Sequence, residues 1–163
     1  MPVDDALFAI ATRVGRRFAA ARWTLAAAES CTGGWISKAV TDIAGSSQWF
    51  LEGFVTYSNE AKHERLGVSN ATLSKHGAVS EATARAMATG ALRRARADVA
   101  VAVTGIAGPG GGVPGKPVGT VWLAWARRRG RGVQVTAQLR HFRGDRDSVR
   151  RKTVHVALLG LMR

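Results

Sequence analysis

"DVAVAVTG", Asp98–Gly105, decides the architecture. Five apolar residues, three of them β-branched valine, run unbroken between Asp98 and Thr104. The run is too short for a core helix and is the clearest strand in the chain. Just upstream, Ser80 is placed to cap an Ala-rich helix from Glu81 to about Arg96. Downstream, "GIAGPGGGVPGKPVG" packs seven glycines and three prolines into fifteen residues. It lies between two strands, and its chemistry is that of a long loop within one domain.

Further out, the same alternation continues. Asp4 or Asp5 is placed to cap a first helix to about Arg22, with Leu7, Ile10, Val14 and Phe18 on one face. "WTLAAAE", Trp23–Glu29, has the pattern of a buried strand, and Gly33 and Gly34 lead from it into a helix from Trp35 to about Ile43, closed by Gly45. "SSQWFLEGFVTYS" is expected to hold a strand that bends or bulges at Gly53. Ser58 or Asn59 can cap a short helix through Leu66 that carries Lys62 in its first turn. "TVWLAWA" and "VQVTAQLRHF" read as strands joined through "RRRGRG", and Asp145 or Asp147 caps a closing helix. The expected fold class is α/β: a three-layer α/β/α sandwich with a mixed, largely parallel sheet, residues 1–163 forming one domain.

Bulk properties narrow the function. At 46% hydrophobic and 21% charged, the chain is neither disordered nor membrane-spanning. The N-terminus carries acids where a secretory leader is basic. Cys31 is the only cysteine, which excludes an internal disulfide and a multi-cysteine zinc site and fits a reducing cytoplasm. No metal-ligand spacing such as H-E-x-x-H is present, and no metal is expected. The formal charge of +13 comes from 24 basic against 11 acidic residues. Nucleic acid is a conceivable partner. It is disfavoured because basic and aromatic residues do not interleave as in single-strand binders. An anionic small substrate fits as well.

The residues with most chemical promise are "AESCTGG", Ala28–Gly34, in a strand-to-helix loop. Ser30 there can attack a carbonyl whose developing charge falls on the first helical amides, those of Thr32, Gly33 and Gly34. On these residues alone a plain helix cap is the preferred reading. Serine needs a base, and none of the four histidines sits in a recognisable triad motif. Lys62, just past a strand end and five residues after Tyr57, can serve if its pKa is lowered; an exposed helix lysine is the ordinary alternative. Cys31 near a helix N-terminus can form a thiolate, or can be a small packing residue. "TGIAGPGGG" lacks the G-K-[ST] ending of a P-loop and the G-x-G-x-x-G register. It can still wrap a ligand with its amides, and Thr104 can offer a hydroxyl.

Taken together, "AESCTGG", "GFVTYSNEAK" (53–62), "HGAVSEATARAMATGA" (76–91), "VAVTGIAGPGGG" (101–112), "KPVGTVW" (116–122) and "FRGDRDSVR" (142–150) resemble the CinA carboxy-terminal domain family. That family includes stand-alone nicotinamide-nucleotide amidohydrolases. The resemblance implies an α/β/α sandwich and hydrolysis of nicotinamide mononucleotide to nicotinic acid mononucleotide and ammonia, with no metal or organic cofactor. It also implies a homodimer. Carried onto this chain, it implies Ser30 as nucleophile, Lys62 with Tyr57 as base, and a pocket of Thr32, Gly33, Gly34, Thr104, Gly105 and Gly108. Among the basic residues, Arg146 in the "GDR" segment is the nominee for the substrate phosphate. A silent nucleotide- or nucleic-acid-binding module and an amidase for another small amide remain the alternatives.

Overall fold

The computed structural model describes residues 4–163; residues 1–3, which begin both the expected single domain and the acidic N-terminal stretch, lie outside it. In chain order the elements are α1 (Asp5–Ala21), β1 (Leu25–Glu29), α2 (Trp35–Thr41), a 3₁₀ turn (Ser46–Gln48), β2 (Phe50–Val55) and α3 (Asn59–Leu66). There follow α4 (Asn70–His76), α5 (Glu81–Ala95), β3 (Val99–Gly105), β4 (Thr120–Arg129), β5 (Gly132–His141) and α6 (Arg146–Gly160). Asp4, Ser58, Ser80 and Asp145 are the caps, each accepting from a main-chain amide three residues on. The short α4 was not anticipated from sequence; Ser69 caps it by the same contact, to Thr72.

The strands form one sheet in the order β2-β1-β3-β4-β5. β1 pairs parallel with β2 and β3, while β4 pairs antiparallel with β3 and β5. Only β4 therefore runs against the other four, as a tight β4–β5 hairpin requires. The register also corrects one expectation. The irregularity of β2 falls at Leu51, between the Phe50 and Glu52 pairs with β1, and Gly53 pairs regularly with Ala27. Gly53 lacks a side chain for a different reason: a Cβ there would strike Ser37 of α2.

The period-two alternation of "VAVAV" sorts the two faces. Val99, Val101 and Val103, with Leu25, Ala27, Val121, Leu123 and Trp125, pack under α1, α2 and α6. The opposite face is almost all alanine, from Ala26, Ala28, Ala100, Ala102, Ala124 and Ala126, and lies against α5 with Leu66 of α3 and Leu73 of α4. Small side chains let α5 approach closely. The closeness continues to α3, because a Cβ on Gly90 of α5 would overlap the Leu66 carbonyl. Trp125 is core, its indole donating to the Ala157 carbonyl at 3.0 Å. No described helix is long and apolar enough to cross a membrane.

A backbone carbonyl cannot yield as a flexible side chain can, so Gly90→Ala is expected to lower the unfolding free energy by about 1–3 kcal/mol. Denaturant titration checks this, and a neutral result would show that α5 shifts freely over α3.

Candidate functional site

The chain leaves β1 toward β2 on one side and leaves β3 toward β4 on the other. Open α/β sheets bind ligands at such a divergence, beyond the carboxyl ends of the strands. Here the two segments are "ESCTGG" after β1 and "TGIAGPGGG" at the end of β3. They are tied side by side, since the Ser30 amide donates to the Val103 carbonyl at 3.1 Å.

Glu29, the last residue of β1, has a fully buried side chain. One oxygen accepts from the Thr32 hydroxyl at 2.6 Å, the Gly34 amide at 3.2 Å and the Ile36 amide at 2.9 Å. The other accepts from the amide and the hydroxyl of Ser37, both at 2.8 Å. A carboxylate thus fills the amino end of α2, where free amides and the helix dipole favour negative charge. Gly33 and Gly34 have φ of +60° and +100°, a left-handed turn that only glycine enters cheaply, and it folds the chain back over Glu29. Sequence reasoning did not single out Glu29. An acid closing an apolar strand, directly ahead of a Gly-Gly helix entry, is the signal that marks it.

This arrangement corrects the expected use of the glycine amides. The Gly34 amide is taken by Glu29 and the Gly33 amide by the Ser30 carbonyl at 3.0 Å. Among the described residues, the amides of Cys31 and Thr32 donate to no hydrogen-bond acceptor of another residue. Thr32 is fully buried and Cys31 is 5% exposed, so of the two only the Cys31 amide belongs to a residue with any exposure.

Ser30, at the tip of the loop, meets Lys62 of α3. Lys62 Nζ lies 3.0 Å from Ser30 Oγ, 2.9 Å from the Thr56 carbonyl and 3.1 Å from the Tyr57 carbonyl. The side chain is 1% exposed, the opposite of an ordinary helix lysine. Ion pairs among the described residues are Lys38–Asp42, Arg85–Glu81 and Arg151–Asp4, so none neutralises Lys62. Burial lowers its pKa below the ordinary 10.5, opposed only by the Cys31 thiol where ionised. A neutral amine has two hydrogens and a lone pair. The two carbonyls can take the hydrogens and leave the lone pair facing the Ser30 hydroxyl. Cys31, also buried, has its thiol pushed up to about 12, first by desolvation and then by the charge of Glu29. It is a packed thiol, not a thiolate.

The remaining expected residues divide. Tyr57 contributes its carbonyl to Lys62, while its ring is 61% exposed and its hydroxyl accepts from Arg146 at 3.1 Å. The other guanidinium nitrogen of Arg146 donates to the Gly108 carbonyl at 2.8 Å, joining the glycine loop to Tyr57. The Thr104 hydroxyl donates to the Ala78 carbonyl at 2.8 Å, which leaves it only its lone pairs for a ligand. Gly105 is required by packing, its Cα facing Val121 and the Thr120 carbonyl too closely for a side chain. Arg150 of α6, unremarked in sequence, donates to the carbonyls of Cys31 at 3.1 Å and Thr32 at 3.0 Å. Its guanidinium stacks 5.4 Å from the Trp35 ring centre. No group of three or more potential metal ligands occurs among the described residues.

A family profile described as CinA C-terminal domain matches residues 7–163. The nicotinamide-nucleotide amidohydrolase PncC of Escherichia coli K12 is 54% identical over 155 residues, covering 95% of this chain and 92% of that protein. That of Pseudomonas putida is 49% identical over 158 residues, covering 97% and 96%. The crystal structure of competence/damage inducible protein CihA from Agrobacterium tumefaciens matches with a TM-score of 0.91 and 48% identity, covering 99% of this chain and 96% of that one.

Two stability outcomes follow. Glu29→Gln turns an amide NH₂ toward at least one buried main-chain donor whichever way it is seated, and is expected to cost roughly 2 kcal/mol or more in chemical denaturation. For Lys62 the sign is reversed. The unfolded chain binds the lysine proton more tightly than the folded one, so wild-type stability rises with pH between the lowered pKa and 10.5. Lys62→Met removes that dependence. Its thermal midpoint is expected to exceed that of the wild type at about pH 7 and the gap to shrink as pH approaches 10.5.

Proposed function

The chain belongs to the CinA C-terminal domain family, and we propose that it hydrolyses the carboxamide of nicotinamide mononucleotide, giving nicotinic acid mononucleotide and ammonia. The identity to nicotinamide-nucleotide amidohydrolases over nearly the whole chain supports the substrate. The observation that carries the chemistry is the buried, carboxylate-free Lys62 amine 3.0 Å from Ser30 Oγ.

Ser30 Oγ attacks the carboxamide carbon as neutral Lys62 takes its proton. The carbonyl oxygen becomes an oxyanion and is received by the amide of Cys31. Lys62 returns the proton to the nitrogen, the C–N bond breaks and ammonia leaves an ester on Ser30. A water then attacks the ester, again deprotonated by Lys62, and frees the acid. Tyr57 acts on the base through its carbonyl, and its hydroxyl with Arg146 forms the rim that meets the nucleotide. Lysine suits this work because burial without a counter-ion lowers its pKa toward the range a base needs.

Purified protein with nicotinamide mononucleotide and no added metal is expected to release ammonia. Release of no ammonia together with salt-sensitive oligonucleotide binding would support a binding module; ammonia from a different amide alone would change the substrate. Ser30→Ala and Lys62→Met are each expected to lower turnover roughly 10³-fold or more. Cys31→Ala is expected to stay near wild type. Turnover should rise with pH through the lowered Lys62 pKa, since the neutral amine is the base.

A further inference from the structure

The end of the sheet away from Ser30 holds a second cavity. Gly105, the last residue of β3, pairs with Val121 of β4, whereas Val99, the first, pairs with Arg127. Arg127 and Arg129 therefore stand at the end opposite the Ser30 loop. The last turns of α6 come to the same place, since the Trp125 indole donates to the Ala157 carbonyl and a Cβ on Gly160 would strike that ring. Between them lies a cavity of about 370 Å³, lined by Arg127, Arg129, Arg163, Gln134, Thr136 and Gln138.

Alternation along β5 supplies the polar wall. Val133, Val135 and Ala137 turn to the face packed by α5, so Gln134, Thr136 and Gln138 turn to the other, opposite Arg127, Trp125 and Leu123 of β4. No acidic side chain lines the cavity among the described residues, and none of its arginines belongs to an ion pair with one. Asp98, at the same end of the sheet, accepts instead from the amide and hydroxyl of Thr24 at 2.8 and 2.9 Å.

The guanidiniums keep most of their donors unspent. Arg129 Nε donates to Gln134 Oε1 at 3.2 Å, while its two Nη groups donate to no described residue. Both Arg129 and Arg163 are exposed, so a ligand can reach them. Arg127 is held in place. Its Nη2 donates to the main-chain oxygens of Arg163 at 2.8 Å and Leu161 at 3.4 Å, and it shares the Trp23 ring with Arg17, the two Cζ atoms lying 5.8 and 5.6 Å from the ring centre. Burial, then the neighbouring Arg17 and Arg129, push the Arg127 guanidinium below its ordinary 12.5. A guanidinium does not give up its proton in a protein, so an anion is what relieves this crowding.

We propose that this cavity is a second binding site, separate from the Ser30 loop, for a small anion that carries a polyphosphate group. Guanidiniums meet phosphate oxygens as two-pronged forks, and three of them around one recess suit several phosphoryl groups better than one. The volume suits a pyrophosphate or a nucleotide. A nucleic-acid backbone would call for a basic stripe along the surface rather than a recess closed on one side by α6.

Pyrophosphate and adenosine triphosphate are the probes, each titrated calorimetrically into wild type, Arg129→Gln, Arg94→Gln and Arg146→Ala at about 0.15 M salt. Arg94, exposed on α5 across the sheet, controls for lost charge, and Arg146 controls for binding at the rim of the Ser30 site. Wild type, Arg94→Gln and Arg146→Ala are expected to bind one pyrophosphate per chain with similar affinity, and Arg129→Gln about 10-fold or more weakly. Equal affinity for the two probes assigns the polyphosphate alone; at least about 10-fold tighter binding of the triphosphate assigns a nucleotide. Absence of saturable binding to wild type overturns the proposal. So does an equal loss in Arg94→Gln, which would reduce the effect to net charge, or a loss in Arg146→Ala, which would move the anion to the Ser30 site. Tighter binding of a short oligothymidylate with the same dependence on Arg129 would replace the small anion by a nucleic acid and also overturn it. Should Arg129→Gln fail to fold, Arg163→Gln decides by the same criteria.

Discussion

One buried carboxylate organises this end of the molecule. Glu29 ends a central strand and receives five hydrogen bonds from the first turn of the next helix and the loop before it. A charge with no exposure survives in a protein interior only when donors surround it, and here they come from chain within eight residues of it. The strand-to-helix turn therefore has one low-energy shape. Ser30 sits at its tip, Gly33 and Gly34 make the reversal, and Gly53 on the neighbouring strand leaves space for Ser37 to complete the set. Amides that a helix would otherwise present to a ligand are used internally. The amides left without an acceptor are those of Cys31 and Thr32, just before the glycine pair.

The basic residues around that loop do different work because their surroundings differ. Lys62 is buried with main-chain carbonyls and no acid, so its pKa is lowered. Arg150, half-buried, gives its donors to two carbonyls and lays its flat face on Trp35. Arg146 is exposed and links Tyr57 to the glycine loop. An amine that can lose its proton stands next to the serine; guanidiniums, which cannot, hold main chain in place. The net charge of +13 indicates none of this. It counts surface arginines together with these three residues.

How much the sequence discloses can be followed residue by residue. Strand β3, the capped helices α1, α5 and α6 and the β4–β5 hairpin were all legible, because alternation, cap chemistry and helical periodicity are local. Helix α4 was missed, since seven residues offer too little periodicity. Gly53 was correctly marked as special and given the wrong reason, because its constraint comes from Ser37, sixteen positions earlier in sequence. Ser30 and Lys62 drew notice as residue types able to act, with an exposed lysine equally open.

The sequence by itself determined the layered α/β class, the family resemblance and a short set of nucleophile and base candidates, all of which depend on neighbours within one element or on linear motifs. Only the tertiary structure decided that Lys62 is buried on Ser30, that Glu29 occupies the helix amides, that Thr104 turns to Ala78 and that Arg150 grips the loop. Each of those contacts depends on desolvation or on hydrogen-bond direction. Several join residues from 26 to 119 positions apart, and both properties exist only once the sheet has brought its strand ends together.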